Sequence, residues 1–563
     1  MSLDDKAVDI QQEDVKEIPQ AAAGEVQHMS AIEAARLEGK RMEVRNARFY
    51  AAVSESNLKA SSKRSLWMFY CMFVAFTCDC ANGYDGSVMS SVLAMSHFQS
   101  YFNAKANLNT SLIFSIYTAG SMISAPIAAT FNDRYGRKKT MGLGGIIIIV
   151  GGILSATTHT VAQLVVARFL LGFGVAIMTN AAPAYVAELS PPQWRGRCVG
   201  LYNLGWFGGA IPAAAITFGC SYLNSNLQWR IPLALQCFAC VFVLANLYFM
   251  PESPRWQFMN GKEEEAFQFL VEYHGDGDSR SPLVHFEIDE WRESIVQDGI
   301  DKRWWDYGPL ITSHANRWRM LQVFLISLIP QYTTGGTGYF NTFIYDMVGL
   351  TSTTKQLMIN LIGQFISCAA AVSAGLLSDR MPRRGALIYG TIAVACFQLL
   401  NTGLTKYAAD RINSGGEHTS DGFGISYGFS IGTIIVGQLS GIAYCFGYTP
   451  LQAVVPTEAL ETTTRAKGLA FSSFVLGAIG FIGQFAAPIG LANMGYNYMW
   501  VFVGLDFFWI VVFYFCAVES QGRTLEELAW IYDQPNPVTA SKRKDKIIVE
   551  TDGHVVEVDE KQA

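Results

Sequence analysis

Two charged residues lie deep within stretches that are otherwise apolar: Asp85, inside the segment 65–94, and Arg168, inside ARFLLGFG (167–174). A charge in hydrocarbon costs at least about 2–3 kcal/mol unless it is paired or functional, so each needs a partner, and intramembrane carboxylates and arginines mark proton or solute pathways. Asp79 is a second such carboxylate. It precedes Asp85 by six residues, which on a helix turns it some 120° away, so the two need not share a pocket. The chemistry available to these residues is proton transfer rather than bond making. There is no Gly-x-x-x-x-Gly-Lys-Ser/Thr phosphate loop and no nucleophile or metal-ligand constellation, so neither an enzyme nor an ATP-driven pump is expected, and no cofactor or metal. The eleven cysteines fall almost entirely in apolar segments, among them Cys71, Cys78, Cys80, Cys237 and Cys240, where packing is the expected role; Cys78 and Cys80 diverge around a helix and cannot jointly grip a metal.

The elements that must hold these charges are membrane helices. Half of the 563 residues are hydrophobic and 13% are aromatic, more than a soluble domain carries. Bilayer-length segments recur twelve times, near 65–94, 109–131, 140–158, 160–187, 197–222, 229–250, 320–346, 354–378, 384–405, 425–457, 466–493 and 497–518. The net charge of −6 averages an acidic tail with basic short loops and argues neither for nucleic acid nor for an acidic substrate. Arg134, Arg137, Lys138 and Lys139 crowd the second loop and Arg380, Arg383 and Arg384 the eighth, whereas the first loop holds only Lys105. Basic loops stay in the cytoplasm, which places both termini there too, and no signal-peptide pattern precedes the first segment. Asn109-Thr110-Ser111 is a glycosylation sequon so close to a helix that occupancy is not expected.

The chain repeats itself. Asp133-Arg134-Tyr135-Gly136-Arg137-Lys138 returns as Asp379-Arg380-Met381-Pro382-Arg383-Arg384; Glu188 precedes Arg195, and Glu458 precedes Arg465, by seven residues in both cases; Pro251-Glu252-Ser253-Pro254-Arg255 is echoed by Val518-Glu519-Ser520-Gln521-Gly522-Arg523. Three paired motifs in one order imply a duplicated six-helix unit with its ligand between the halves. The expected division is a polar N-terminal tail (1–64), a first bundle (65–250), a charged connector with helical patches (251–319), a second bundle (320–518) and a C-terminal tail (519–563) whose segment Arg523–Leu528 forms a latch helix. Basic residues alone would only orient the chain, but acidic partners at repeated spacings do not serve orientation. Asp133, Arg134, Arg137, Glu188 and Arg195, repeated as Asp379, Arg383, Glu458 and Arg465, are therefore expected to form a charge layer that closes one access state and biases a two-state equilibrium by about 1–3 kcal/mol per pair.

Gly83-Tyr84-Asp85, DRYGRKK (133–139), ARFLLGFG (167–174), AELSPPQWRG (187–196), PESPRW (251–256) and ESQGRTLEEL (519–528) together resemble the sugar porter family of the major facilitator superfamily, over roughly residues 65–535. The resemblance implies an all-α membrane protein of the major facilitator fold, with twelve transmembrane helices in two pseudo-symmetric six-helix bundles. It also implies secondary active transport: symport of a neutral sugar, disaccharide or hexose, with a proton, by a monomer in the plasma membrane. In the family, the aspartate of Gly-Tyr-Asp and the arginine of Arg-x-x-x-Gly form the proton-coupling pair, matched here by Asp85 and Arg168. One proton crossing about 100 mV and one pH unit supplies roughly 3.7 kcal/mol. Trp206-Phe207-Gly208-Gly209 after Tyr202-Asn203, and Arg465-Ala466-Lys467-Gly468 followed by Ala470-Phe471-Ser472-Ser473-Phe474, resemble fungal lactose and cellobiose permeases more than hexose carriers. A facilitative uniporter, a carrier of another polyhydroxy solute such as a polyol or quinate, and a non-transporting sensor are the rival readings.

A sugar site needs hydrogen-bonding side chains for hydroxyls and an aromatic face for the ring. The expected substrate residues are Asn203, Trp206, Gln331, Tyr339, Asn341 and Gln452. The seventh helix keeps Gln331, but its asparagine position reads as Thr334 or Gly335. Ala453 and Gly477 stand where hexose carriers of the family place tryptophans, which predicts a wider cavity. Asp506 and Asp346 read as structural or interfacial, and the glycine-rich runs around Gly144 and Gly480 as packing surfaces.

Overall fold

The computed structural model describes residues 58–102, 108–298, 308–333, 338, 340–413, 427–460, 465–521, 523, 525–542, 546–549 and 555–558. The membrane helices lie in one compact unit, Glu55–Lys544. The other unit, Met1–Ser54 with Asp545–Ala563, contributes an antiparallel hairpin of β1 (Lys546–Val549) and β2 (Val555–Val558).

The first half runs through α1 (Lys63–Leu93), α2 (Ser96–Phe102), α3 (Leu108–Tyr135), α4 (Arg137–Ala156) and α5 (Val161–Leu189). It continues with α6 (Pro192–Tyr202) and α7 (Gly205–Cys220), one membrane path broken at Asn203-Leu204, and with α8 (Leu227–Leu235) and α9 (Cys237–Leu247), a second such path. The connector carries α10 (Pro254–Met259), α11 (Glu263–Tyr273), α12 (Pro282–Asp298) and α13 (Pro309–Thr312). The second half comprises α14 (His314–Leu328), which ends in a 3₁₀ turn at Ile329–Gln331, then α15 (Asn341–Met347), α16 (Thr353–Leu377), α17 (Arg383–Asn413), α18 (Tyr427–Gly447), α19 (Leu451–Ala459), α20 (Arg465–Met494) and α21 (Asn497–Cys516), followed by α22 (Leu525–Asp533) and α23 (Pro537–Ala540).

Among the described residues ten helical paths are long and apolar enough to cross a bilayer, and the other two expected segments depart for identifiable reasons. The first, α1, spans 31 residues but carries Asp79, Asn82 and Asp85. The seventh leaves the α-helix at Leu328 for a 3₁₀ turn over Ile329–Gln331, where Pro330 has no N–H to continue the ladder; 334–337 and 339 lie outside the described residues, and Asn341 opens the next described helix.

Small residues let the helices approach. A Cβ on Gly83 would stand 1.8 Å from the Trp206 carbonyl oxygen and one on Gly209 1.8 Å from that of Cys80, so α1 and α7 touch backbone to backbone. Gly144 and Gly174 meet in the same way between α4 and α5, as a packing role predicts. The connector helices dock on the first half through Phe258, Phe269, Leu270, Val284 and Trp291, which share a buried cluster with Met68, Met72 and Leu189. His274 pins them: its Nδ1 lies 2.8 Å from Glu287 and its Nε2 3.1 Å from the Leu189 carbonyl at the end of α5. The expected latch forms as α22, whose Leu528, Ile531 and Tyr532 are buried with Ala315, Ala459 and Val518.

Candidate functional site

Asp85 sits on the buried face of α1 and Arg168 on that of α5. Arg168 Nη1 donates to Asp85 Oδ1 at 2.7 Å, with the two side chains 3% and 2% exposed. The guanidinium also lies over the Tyr117 ring of α3, 4.8 Å from its centroid, an arrangement that stabilises a desolvated cation. Truncating one partner of such a buried pair leaves an uncompensated charge, at a cost of about 3–5 kcal/mol. Asp79 faces elsewhere, as its position on the helix requires. It accepts from Asn82 Nδ2 at 3.3 Å and from the backbone N–H of Trp206, at the point where the α6–α7 path restarts.

Trp206 is the structural neighbour of the Asp85 segment. Its carbonyl meets Gly83, its indole nitrogen lies 3.8 Å from where a Gly86 Cβ would stand, and its ring packs with Phe207 against Ala370 and Ala371 of α16 and Cys445 of α18. It thus connects the α1 charge to the opposite half. Among the other expected substrate residues, Asn203 is exposed at the α6–α7 break. Gln331 faces Gly480 of α20, beside Thr118 of α3, whose hydroxyl donates to Gln484 at 2.8 Å. Gln452 Nε2 reaches the Tyr444 hydroxyl at 3.5 Å, and Asn341 opens α15 half-buried. Tyr339 lies outside the described residues. The structure thus brings Gln331 together with Thr118 and Gln484, polar groups that sequence reasoning missed because isolated polar residues in membrane helices carry no motif. The cavity expected from Gly477 is partly filled: a Cβ there would meet Met122 of α3 at 3.4 Å.

The charge layer is built twice. Arg137 forks onto Glu188, Nε to Oε2 at 2.8 Å and Nη2 to Oε1 at 2.9 Å; Arg383 forks onto Glu458 at 3.4 and 3.1 Å. Two acids absent from the expected set complete each copy. Glu252 accepts the backbone N–H groups of Lys138 and Ser253 at 3.1 and 3.0 Å, while Ser253 Oγ donates to Glu188. Glu519 likewise accepts the N–H groups of Arg383 and Arg384 at 2.8 and 3.1 Å, and Ser520 Oγ donates to Glu458. Their signal was present in the Glu-Ser echo at the two closing motifs. Burial holds the Glu252 carboxyl above its usual range, opposed by those backbone donors and by the Arg137 charge. Asp133 is 79% exposed and only 3.7 Å from Arg137; Arg134 is exposed beside the Tyr135 ring; Arg195 is half-buried, its Nε without a hydrogen-bond partner. The side chains of Asp379 and Arg465 lie outside the described set.

A model of the sugar (and other) transporter family matches residues 70–532. The chain belongs to that family. The transporter is 26% identical to a high-affinity glucose transporter of Kluyveromyces lactis, over 83% of this chain and 86% of the relative, and 26% identical to a quinate permease of Emericella nidulans, over 83% and 89%. Among solved structures it resembles the E. coli xylose transporter XylE in a partially occluded inward open conformation, with a TM-score of 0.66 at 20% identity over 82% of this chain and 100% of that one. The transporter is therefore a multi-pass membrane protein with the major facilitator fold.

Proposed function

We propose that the transporter is a symporter that moves a neutral sugar, hexose or disaccharide, with a proton by alternating access. The observation that carries this reading is the Asp85–Arg168 pair, dehydrated at 2.7 Å, with Asp85 between the Gly83 and Gly86 contacts with Trp206. When the solute pathway opens toward the proton-rich side, withdrawal of Arg168 leaves Asp85 without its counter-ion in a dry site, and the carboxylate takes a proton. The neutral acid then lets α1 and α7 shift together, carrying Trp206 against the second half. Asn203, Trp206, Gln331, Asn341 and Gln452, with Tyr339, contact the solute's hydroxyls and ring faces. The Arg137–Glu188–Glu252 and Arg383–Glu458–Glu519 layers stiffen each half at the cytoplasmic end, with Asp133, Arg134, Arg195, Asp379 and Arg465 as the further members of the gate. Basic loops at that end support cytoplasmic termini; a plasma-membrane location and monomeric function are what the family resemblance implies. The divisions 1–64, 65–250, 251–319, 320–518 and 519–563 remain the working domain scheme.

A second reading, transport of quinate or another polyhydroxy solute, is favoured by the quinate permease relative and by the interrupted seventh helix. Uptake of labelled glucose, cellobiose, lactose and quinate by a transport-null yeast expressing the chain, with and without a protonophore and beside Asp85→Asn, separates the readings. Protonophore-sensitive sugar uptake abolished by Asp85→Asn is expected. Protonophore-insensitive uptake makes the protein a facilitator, and quinate uptake alone reassigns the solute.

A further inference from the structure

Asp506 lies in the middle of α21, fully buried, and neither carboxylate oxygen has a hydrogen-bond partner. Sequence patterning placed it among structural or interfacial acids; an interfacial acid would be hydrated, and this one is not. Of the cations at the start of the packed α17, Arg383 pairs with Glu458, while the Arg384 guanidinium donates to the Tyr514 carbonyl of α21 at 2.7 Å with its Nε unpartnered. The titratable group facing it from α18–α19 is Tyr448, which feels the Asp506 charge and whose hydroxyl shares a hydrogen bond of 2.6 Å with Thr391 of α17. Two and nearly three helical turns beyond Thr391 along α17, Gln398 and Asn401 are also buried, with Gln398 Nε2 and Asn401 Oδ1 unpartnered. Buried polar atoms that lack protein partners are rare enough in native proteins to call for an explanation.

Internal duplication supplies a control. By the offsets between Glu188 and Glu458, Arg137 and Arg383, and Glu252 and Glu519, the first-half counterparts of Tyr448, Thr391, Gln398 and Asp506 are Met178, Gly145, Gly152 and Ala239. Asn401 does have a polar counterpart, the buried Ser155, which accepts from Gln236 Nε2 at 2.8 Å; the acid and the tyrosine do not, so the fold does not require a titratable pair at this place.

The location adds a mechanism of access. Tyr448 stands at the break between α18 and α19, where Pro450 cannot donate to the preceding turn and Gly447 packs on Gly390 so closely that a Cβ on Gly390 would stand 2.6 Å from the Gly447 Cα. Bending at this break moves Tyr448, whose ring packs with Phe513 of α21. An isolated ionised carboxylate is not tolerated in such surroundings, so the acid carries a proton while the break is closed over it.

We propose that Asp506 is a second proton-binding site, in the second half, gated by the break between α18 and α19. Its role as a carrier rests on the symport reading; its protonation does not. Infrared spectroscopy of the purified protein in lipid vesicles at neutral pH tests the latter directly. A carboxylic acid C=O band is expected in the wild type and in Asp85→Asn, absent from Asp506→Asn and shifted in frequency in Asp506→Glu, which keeps the acid should the asparagine variant misfold. Pro450→Ala, which restores an N–H at the break, is expected to slow the deuterium shift of that band. A band that survives Asp506→Asn, a band unaffected by Asp506→Glu, or one that appears only when sodium is removed overturns the proposal, the last in favour of a monovalent cation. Proton-to-solute ratios, read in the same vesicles with glucose or quinate, are expected to fall from two to one in Asp506→Asn; an unchanged ratio overturns the carrier role. If neither solute is accumulated, the symport reading fails, while the infrared result still decides whether Asp506 holds the proton.

Discussion

Glu252 shows how much one acid can do without an ionic partner of its own. A single oxygen, Oε1, accepts both the Lys138 and the Ser253 backbone N–H groups, joining the start of α4 to the end of the first half. Glutamine offers the same oxygen, so Glu252→Gln is expected to keep both bonds and fold normally. The pH response should differ. Because burial raises the Glu252 carboxyl above its usual 4.5, its contribution to stability is fully present below that value and is lost as pH rises through the folded-state value. Thermal unfolding of the purified protein should therefore show wild-type stability falling relative to Glu252→Gln as pH rises above 4.5; a difference that is flat or rises with pH contradicts the assignment. Such an acid could be seen in the sequence only as half of an echo, because its bonds go to backbone groups that no side-chain pattern announces. The Asp85–Arg168 pair was legible for the opposite reason: charges in apolar runs are costly enough to stand out by themselves.

At the scale of elements, the helices were legible wherever the apolar run was unbroken and least so where chemistry interrupts it. Pro330 splits the seventh segment and Asn203-Leu204 the fifth, and hydropathy sees neither break as a hinge. Volume arguments suffer in the same way. Replacing a family tryptophan by Gly477 reads as an added cavity, yet the Cβ of Met122 on α3 stands 3.4 Å from where a Gly477 Cβ would be. Gly477→Trp is therefore expected to clash with α3 and to lower the yield of folded protein, whereas Gly477→Trp with Met122→Ala should recover it, since overpacking costs about 1–3 kcal/mol. Size-exclusion profiles of the single and double variants check this; equal profiles mean that the space beside Gly477 is open after all. The glycine at Gly375, where the first half has Ala129, turns out to bear no such contact, since a Cβ there would meet nothing within 4 Å.

The membrane unit is two copies of one charge-pinned half, joined along α3–α20 through Thr118 and Gln484 and, at the end opposite the charge layers, by a further set of hydrogen bonds. Asn360 Nδ2 donates to Ser91 Oγ at 2.8 Å, Thr353 Oγ1 to the Ala94 carbonyl at 3.2 Å and Ser221 Oγ to Thr354 at 3.3 Å; each bond crosses between halves. The charge clusters, by contrast, lie within a half. Double-mutant cycles on Arg137–Glu188 and on Arg383–Glu458 should each give a coupling of about 0.5–3 kcal/mol, and the two cycles should add, as separate sites do. A large cross-term would mean that the layers touch each other directly. Alternating access then requires the far-end bonds to open while each charge cluster persists, which makes the α1–α16 seam the moving part. Ser91→Cys with Asn360→Cys places two thiols across that seam. Oxidation is expected to stop uptake and reduction to restore it, with either single variant unaffected by oxidant. Transport that continues through a crosslinked seam would show that the far end does not open in the cycle, and would move the gate to the end where the two charge layers lie.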